Sequence, residues 1–338
     1  MATAIAALIN GRARKVTPAV VRALQHALPG STILVSGDFD QARRHVRELI
    51  KQRPEVVLSG GGDGAAMLLL NFWREEGGEA LPTLGILRLG TGNGWARALG
   101  APKFFPHLKQ LSLLREPLPV QEFTLVEVEK HLCHFAGVGW DATILNDYQR
   151  NLDKRSSQLV GSRLASWLNK GARGYLYSAL RITVPEEWRR LRKYGQPRVA
   201  LENLGPEVFG LSETGAPVLI SGATQLYEGP VSVGAAATVP EWGYGFRAFP
   251  HAGKKPGFIN LRIYDRPVLD ALLSAAKLWH GAQTPGLHDW FATAVRMRFS
   301  RPMPFQIGGD AMGEREEIVL RAARETVRVV DWRTALSA

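Results

Sequence analysis

Two glycine-rich segments, each lying between a strand-like and a helix-like pattern, constrain this sequence most strongly. The first is GGGDG at residues 60–64, and the second, about thirty residues later, is GTGNG at residues 90–94. Loops of this kind let backbone N–H groups converge on an anion, and the N-terminus of the following helix adds partial positive charge. On neighbouring parallel strands, both loops would lie at the carboxyl edge of the sheet, where open α/β folds bind ligands. The pattern therefore predicts a phosphate-binding site.

The first 120 residues alternate between strand-like and helix-like patterns. Thr17 and Asp38 are typical helix caps, and Pro18 is tolerated in the first helical turn. Short apolar runs predict buried strands at 4–9, 32–35, 55–58 and 83–87. Strands that alternate with helices on short connections predict a parallel sheet flanked by helices, which is an α/β domain.

After about residue 120 the pattern changes to short apolar runs separated by Gly, Pro and Asp, which favours a mostly antiparallel, β-rich domain. The predicted strands are 123–128, 132–135, 218–221, 231–233, 258–263, 295–299 and 318–320. We therefore divide the chain into domains at 1–120 and 121–321, with a basic helical insertion at about 150–198. Whether residues 322–338 pack back on the first domain is left open.

The formal net charge of +11 and the pI near 10.0 indicate a polyanionic partner: a nucleotide, a nucleic acid or an acidic membrane surface. Much of the excess lies in residues 150–198, where Arg and Lys are interleaved with Trp and Tyr. That composition suits a membrane interface, and the alternative is a solvated helical face without a partner. Nothing else in the chain resembles a nucleic-acid module, so we expect a lipid surface and no nucleic acid.

Several features favour the cytoplasm. No apolar run approaches the roughly 20 residues that span a bilayer. The N-terminal apolar run has no basic stretch before it, which argues against a secretory signal. Cys133 is the only cysteine, so no intrachain disulfide can form, as is common in a reducing compartment.

The commoner nucleotide motifs are absent from the sequence. No GxxxxGK[ST] loop occurs, and the turn at Asn10-Gly11-Arg12 lacks the dinucleotide fingerprint of Rossmann folds. A generic NAD-binding protein is therefore disfavoured, although an NAD-dependent oxidoreductase stays among the alternatives.

The strings around the two glycine loops resemble a known family. LSGGGDGAAMLLLN at 58–71 is similar to the GGDGT loop of the diacylglycerol kinase catalytic domain, and LGILRLGTGNGWARALG at 84–100 resembles its LGxxPxGTGNDxAR segment. Looser matches follow, including FQIGGDAMGE near 305. The family includes diacylglycerol, sphingosine, ceramide and bacterial lipid kinases. The resemblance implies an NAD kinase/diacylglycerol kinase-like fold with a nucleotide domain followed by a β-rich lipid domain.

The resemblance also implies site residues. Asp63 would organise water or Mg²⁺ at the ATP phosphates and take part in catalysis, although an Asp in this position can also cap the helix after it. The residues that would bind ATP are Asn10, Arg12, Gly61, Gly62, Asp63, Gly64, Thr91, Gly92 and Asn93.

The general base is implied by a later motif. Phosphoryl transfer needs a group that accepts the hydroxyl proton. The family uses the acid of a DGExxG motif, and in the register of GGDAMG at 308–313 this position is Asp310. The alternative is that Gly309 and Asp310 only form a turn between strands.

Some positions depart from the family pattern and bear on activity. Ala65 replaces a Thr, Leu68 an acidic residue, and Gly94, Pro256 and Gly308 replace Asp residues. The changes at Pro256 and Gly308 remove carboxylates that bind a structural Mg²⁺ in some relatives, so we expect that second metal site to be absent. Asp63 and Asp310 would then carry the acidic chemistry almost alone.

The sequence therefore predicts a cytoplasmic, peripheral membrane enzyme that transfers the γ-phosphate of ATP, with Mg²⁺, to a hydroxyl of a diacylglycerol-like or sphingoid-like lipid. The alternatives are a weakened or non-catalytic nucleotide- or lipid-binding relative, and a kinase for a soluble acceptor in the manner of NAD kinases. The identity of the acceptor and the oligomeric state, a homodimer included, are left open.

Overall fold

The computed structural model describes residues 5–90, 93–101, 103–104, 118–140, 142–143, 184–220, 222–242 and 245–335. These residues fall into two compact units. The first unit holds the described residues up to 125, residue 245 and residues 323–335. The second holds the described residues of 126–242 and 246–322.

Four parallel strands form the sheet of the first unit: β1 (Ile5–Asn10), β2 (Thr32–Ser36), β3 (Val56–Gly61) and β4 (Thr83–Arg88). Their spatial order is β4, β3, β1, β2. All of β3 is buried, as expected for a strand covered on both faces. Because the strands are parallel, their carboxyl ends share one edge, where Gly61 lies beside Arg88 and Asn10 beside Ser36.

The helices of this region are α1 (Pro18–Ala27), α2 (Phe39–Gln52), α3 (Asp63–Glu75) and α4 (Gly94–Ala98). The predicted caps are present. The Thr17 hydroxyl accepts a hydrogen bond from the Val20 N–H at 3.3 Å, and the Asp38 carboxylate accepts one from the Gln41 N–H at 2.7 Å. The predicted α/β class of this part of the chain is confirmed.

The second unit is built on antiparallel strands. The strands are β5 (Val120–Val128), β6 (His131–Cys133), β7 (Phe135–Gly139), β8 (Arg198–Asn203), β9 (Val208–Leu211), β10 (Pro217–Leu219), β11 (Gln225–Pro230), β12 (Val233–Ala237), β13 (Ile259–Tyr264), β14 (Leu287–Ala292), β15 (Ala294–Ile307) and β16 (Asp310–Val330). Their order in the sheet is β10-β9-β14-β13-β12-β7-β15-β16, and β8 pairs with both β15 and β11. The remaining two strands, β5 and β6, form a hairpin.

Two strands of this set cross the boundary between the units. β5 begins in the first unit, and β16 ends there. The end of β16 lies parallel to β4, with Val329 opposite Leu84, and the Gln121 amide donates a hydrogen bond to Asp331 at 2.9 Å. The last described residues are therefore part of the first unit.

Several sequence predictions for the second unit were incomplete or wrong. The predicted strand 231–233 is wrong for its first two residues, which connect β11 to β12. The runs 295–299 and 318–320 are only parts of the long strands β15 and β16. Their apolar pattern is broken by charged side chains that pair across strands, such as Arg298 with Glu202 at 2.8 Å and with Glu317 at 2.7 Å.

Four further helices are described over their whole length: α5 (Val184–Tyr194), α6 (Val268–Leu273), α7 (Ala275–Trp279) and α8 (Trp332–Ala335). α5 is the described end of the predicted basic insertion, whose residues 150–183 lie outside the described residues. None of the helices in the described ranges has the length and hydropathy that a membrane span requires.

Candidate active site

The two glycine loops are in backbone contact. A Cβ added at Gly90 would lie 2.2 Å from the Gly62 Cα and 2.4 Å from the Gly62 nitrogen. Beside this contact, the Leu89 N–H donates a hydrogen bond to the Gly61 carbonyl at 3.0 Å. Only glycine at position 90 allows so close an approach, so the sequence requirement for glycine there is steric.

Asp63 links the first loop to the helix that follows the second. Its carboxylate accepts hydrogen bonds from the Gly94 N–H at 2.7 Å and from the Trp95 N–H at 3.2 Å. Asp63 is the first residue of α3, but it makes no capping bond to its own helix, whose N-cap is Gly62. The alternative in which Asp63 caps the helix after it is therefore wrong, because its carboxylate binds the start of α4 instead. The residue is only 7% exposed.

Asn93 adds a second link inside the second loop. Its side-chain amide donates a hydrogen bond to the Gly90 carbonyl at 2.8 Å. The carboxamide oxygen is buried and has no hydrogen-bond partner within the part of the chain that the structure describes. A buried acceptor without a donor is costly, so a bound ligand or a water molecule would stabilise this position. The predicted residues Thr91 and Gly92 lie outside the described residues.

The segment after β1 reaches both loops. The Asn10 carboxamide oxygen accepts a hydrogen bond from the Arg12 N–H at 3.0 Å, which tightens the turn. A Cβ added at Gly61 would lie 3.5 Å from the Asn10 Cβ, and the Lys15 N–H donates to the Leu89 carbonyl at 3.3 Å. The structure thus brings Asn10 next to the first loop, and the Arg12 side chain is exposed.

A pocket of about 170 Å³ opens beside Asn10 and Arg12. Its other walls come from β1, from residues 36–38 at the end of β2, and from α2 and α3, where they are mainly apolar, with Phe39, Leu68 and Phe72 among them. Leu68 is the residue that replaces an acidic residue in the family pattern, so this wall is apolar where the resemblance implied a carboxylate. Phe39 was not predicted as a site residue from the sequence, and it is 70% exposed although it is large and apolar. Its position directly after the Asp38 cap, at the carboxyl end of β2, was the available signal.

Asp310 lies in the second unit, whereas Asp63 lies in the first. It is the first residue of β16 and pairs with Ile307 across a two-residue turn. The turn residues Gly308 and Gly309 have φ values of +60° and +96°, which glycine adopts without strain. The predicted turn is therefore present, and it presents Asp310 at the surface. The surrounding protein removes part of the water from the carboxyl group and so raises the pKa of Asp310.

A metal ion held by protein side chains alone has no support in the described ranges. No three His, Cys, Asp or Glu side chains of these residues cluster closely enough to hold one. Mg²⁺ is commonly bound through one or two carboxylates together with substrate phosphates and water. Asp63 beside the first glycine loop is compatible with that mode.

The part of the chain that carries these loops matches known proteins. Residues 7–121 match the diacylglycerol kinase catalytic domain. Over 128 residues, the chain is 27% identical to the lipid kinase YegS of Escherichia coli strain K12. The match covers 37% of this chain and 42% of that relative, so the chain spans less than half the length of the curated relative. The resemblance to the diacylglycerol kinase catalytic domain is thereby confirmed for the first unit.

Solved structures resemble nearly the whole chain. A diacylglycerol kinase from Bacillus anthracis strain Sterne superposes with a TM-score of 0.58 and 13% identity, covering 96% of both chains. A second structure from that organism, provisionally assigned to the same class of enzyme, has a TM-score of 0.61 and 17% identity over 96% of both chains. At these identities the similarity establishes the fold, and the predicted fold class is confirmed.

Proposed function

We propose that this chain is an ATP-dependent lipid kinase, a phosphotransferase whose acceptor is an alcohol group. The observation that carries the proposal is the backbone contact between the two glycine loops, at Gly62 and Gly90, within residues that match the diacylglycerol kinase catalytic domain. Glycine-rich loops at the carboxyl ends of parallel strands are suited to phosphate binding, because their backbone N–H groups are accessible. The N-terminus of α3 adds a partial positive charge.

In this proposal the nucleotide occupies the first unit. The phosphates lie against Gly61, Gly62 and Gly64, and the second loop, with Thr91, Gly92 and Asn93, completes the site. Asn10 and Arg12 lie at the mouth of the adjoining pocket, which would take the apolar part of the nucleotide. Mg²⁺ would neutralise phosphate charge, held by the phosphates, water and Asp63. The buried Asp63 also fixes the start of α4 through two hydrogen bonds.

The chemical step would use Asp310 as the general base. A lipid hydroxyl oxygen bonds to the γ-phosphorus of ATP, the bond to the bridging oxygen breaks, and ADP leaves. Asp310 accepts the hydroxyl proton. Its raised pKa makes the carboxylate a stronger base than an ordinary Asp.

The acceptor we propose is a lipid of the diacylglycerol or sphingoid type, which places the enzyme in phospholipid metabolism. We propose a cytoplasmic protein that binds an acidic membrane surface transiently. The support is the similarity to a lipid kinase together with the formal net charge of +11.

The experiment that tests the function measures label transfer. Purified protein, Mg²⁺ and ATP labelled at the γ-phosphate are incubated with a total bacterial lipid extract, and the organic and aqueous phases are counted. We expect label in the organic phase, and chromatography of the product identifies the acceptor. Label in a water-soluble product would instead establish a kinase for a soluble acceptor.

The matched control for this assay is Asp310→Asn, which keeps the size of the side chain. We expect transfer to fall by about 10²–10⁴-fold, the usual contribution of a general base, with unchanged ATP affinity. Normal turnover of this variant would exclude Asp310 as the base.

One observation favours a second candidate function, a nucleotide-binding relative without catalysis. Leu68 and Ala65 leave the pocket beside the first loop without the polar groups of the family pattern. Binding of ATP by calorimetry, with no transfer to any lipid or soluble acceptor, would establish this alternative.

A further inference from the structure

The segment formed by α6 and α7 exposes an unusual amount of apolar surface. Leu269, Leu272 and Leu273 are all exposed, and Leu273 is 90% exposed. Their spacing of three and four residues places them on one side of α6. Trp279 in α7 is also exposed, and its ring stacks on that of Phe246 at 5.5 Å. Several large apolar side chains exposed on one short segment are uncommon on a surface that faces only water.

The neighbouring helix α5 supplies positive charge and further aromatic surface. α5 packs against α6 within the second unit. Trp188 is exposed, and the Arg192 guanidinium lies 3.6 Å from the centre of its ring. Arg189 and Lys193 are exposed on the same helix. Cations, aromatic rings and leucines therefore occupy adjoining helices.

The acidic side chains of α5 do not neutralise these cations. Glu186 and Glu187 lie in the first turn, and Glu187 pairs with Arg190 at 3.4 Å. Among the described residues, no carboxylate forms an ion pair with Arg189, Arg192 or Lys193. The later turns of the helix thus keep their positive charge.

A small pocket between the helices is lined by two further guanidinium groups. Its volume is about 60 Å³, and Arg190 and Leu191 of α5 line it together with Val268 of α6 and Arg301. Arg301 donates a hydrogen bond to the Gly195 carbonyl at 3.0 Å, so it holds the end of α5 in place. Arg190 is exposed and pairs with Glu187, which also lines the pocket, so Arg301 is the further cation beside α5.

We propose that the exposed residues of 188–193 and 269–279 form a docking surface for an anionic lipid bilayer. The leucines of α6 would enter the apolar edge of the bilayer, Trp188 and Trp279 would lie at headgroup level, and the cations of α5 would contact anionic headgroups. This deepens the proposed function, because a lipid acceptor lies in such a bilayer.

Charge complementarity favours a bilayer over a second copy of the chain. A two-fold contact through this surface would bring the same cations of α5 against one another. An anionic lipid surface instead offers opposite charge to the cations and hydrocarbon to the leucines.

The first test is co-sedimentation with vesicles, without ATP or Mg²⁺, so that its result is independent of kinase activity. Vesicles of phosphatidylcholine mixed with phosphatidylglycerol are compared with vesicles of phosphatidylcholine alone. We expect binding to the mixed vesicles, with Leu273→Asp weakening it at least tenfold. Leu219→Asp is the matched control, since Leu219 is a 50% exposed leucine on β10. Equal binding by the two variants, or no binding of the unmodified chain, would overturn the proposal.

The second test introduces no charge into the protein, so it stands even where Leu273→Asp impairs folding. Cys133 is the only cysteine and is buried, and burial raises the pKa of its thiol. Leu273→Cys can therefore be labelled selectively with an environment-sensitive fluorophore, with Leu219→Cys as the control. We expect a blue shift on mixed vesicles for position 273 only. A shift that depends on protein concentration instead of vesicles would show self-association at this surface and would overturn the proposal.

Discussion

Asp63 uses one carboxylate to hold two backbone N–H groups at the start of α4. Asn at this position would turn an NH₂ group towards one of those donors, so one buried hydrogen bond is lost and a repulsive contact replaces it. For Asp63→Asn we expect about 1–3 kcal/mol less stability in chemical denaturation. We also expect at least tenfold weaker ATP binding by calorimetry. Asp40→Asn, an exposed acid in the first turn of α2, is the control and should change neither by a comparable amount. Unchanged ATP affinity in Asp63→Asn would show that this residue takes no part in nucleotide binding.

Asp310 makes a different prediction, because its role depends on its charge. Removal of water raises its pKa, so the carboxylate takes up a proton at a higher pH than an ordinary Asp does. As the pH falls through that raised pKa, the base is lost and kcat/KM decreases. We expect the acid limb of the pH profile to have its midpoint above the usual Asp value of about 3.9. The residual activity of Asp310→Asn should lack this limb. An identical limb in the variant would assign it to another group.

At the scale of elements, the contact between the β3–α3 and β4–α4 loops can be tested with two glycines that differ in their surroundings. A Cβ at Gly90 would clash with the backbone of Gly62, whereas a Cβ at Gly64 would meet nothing within 4 Å. For Gly90→Ala we expect lower stability and weaker ATP binding together. For Gly64→Ala we expect stability equal or higher by up to about 1 kcal/mol, since Ala suits a helix better than Gly. Denaturation and ATP titration of both variants measure this.

The two outcomes for Gly64→Ala separate folding from binding. Its methyl group would meet no protein atom within 4 Å, in the loop where the proposal places phosphate. Weaker ATP binding by a variant that folds normally would therefore support that placement. Full ATP affinity in this variant would indicate that the phosphates do not bind at the N-terminus of α3.

The first unit was predictable because local signals and tertiary structure agree there. Thr17 and Asp38 form the caps that their residue types favour, and the buried strands read as continuous apolar runs. The contact at Gly90 could not be predicted. A glycine-rich loop indicates that another segment can approach its backbone closely, but the sequence does not indicate which segment does so. Likewise, the partner of Asp63 lies across a tertiary contact that no local pattern encodes.

The second unit was less predictable for a physical reason. β15 pairs with β8 in its first half and with β7 in its last residues, and its register shifts near Pro302 and Pro304. A strand with two sets of neighbours alternates its burial irregularly, so a period of two does not describe it. The helices α6 and α7 were not predicted from the sequence, because both are short. In addition, α6 carries leucines on its exposed side, so its apolar pattern does not indicate which side faces the core.

At the scale of the whole molecule, the formal net charge of +11 attracts polyanions from any direction. Such attraction does not require contact, but at 0.1 M salt it is largely screened beyond about 10 Å. Docking through particular helices is short-ranged, and it depends on where the cations lie. Two variants with the same loss of charge distinguish these effects.

Replacing Arg189, Arg192 and Lys193 with Gln removes three cations from α5, and replacing Arg22, Arg44 and Lys51 with Gln removes three exposed cations from α1 and α2. A cation near an anionic bilayer contributes about 1 kcal/mol, so we expect the α5 variant to bind anionic vesicles roughly a hundredfold more weakly. The α1–α2 variant should lose much less. Both affinities are measured by co-sedimentation at the same salt concentration. Equal losses would mean that net charge alone governs the attraction, and that the position of the cations on α5 has no part in it.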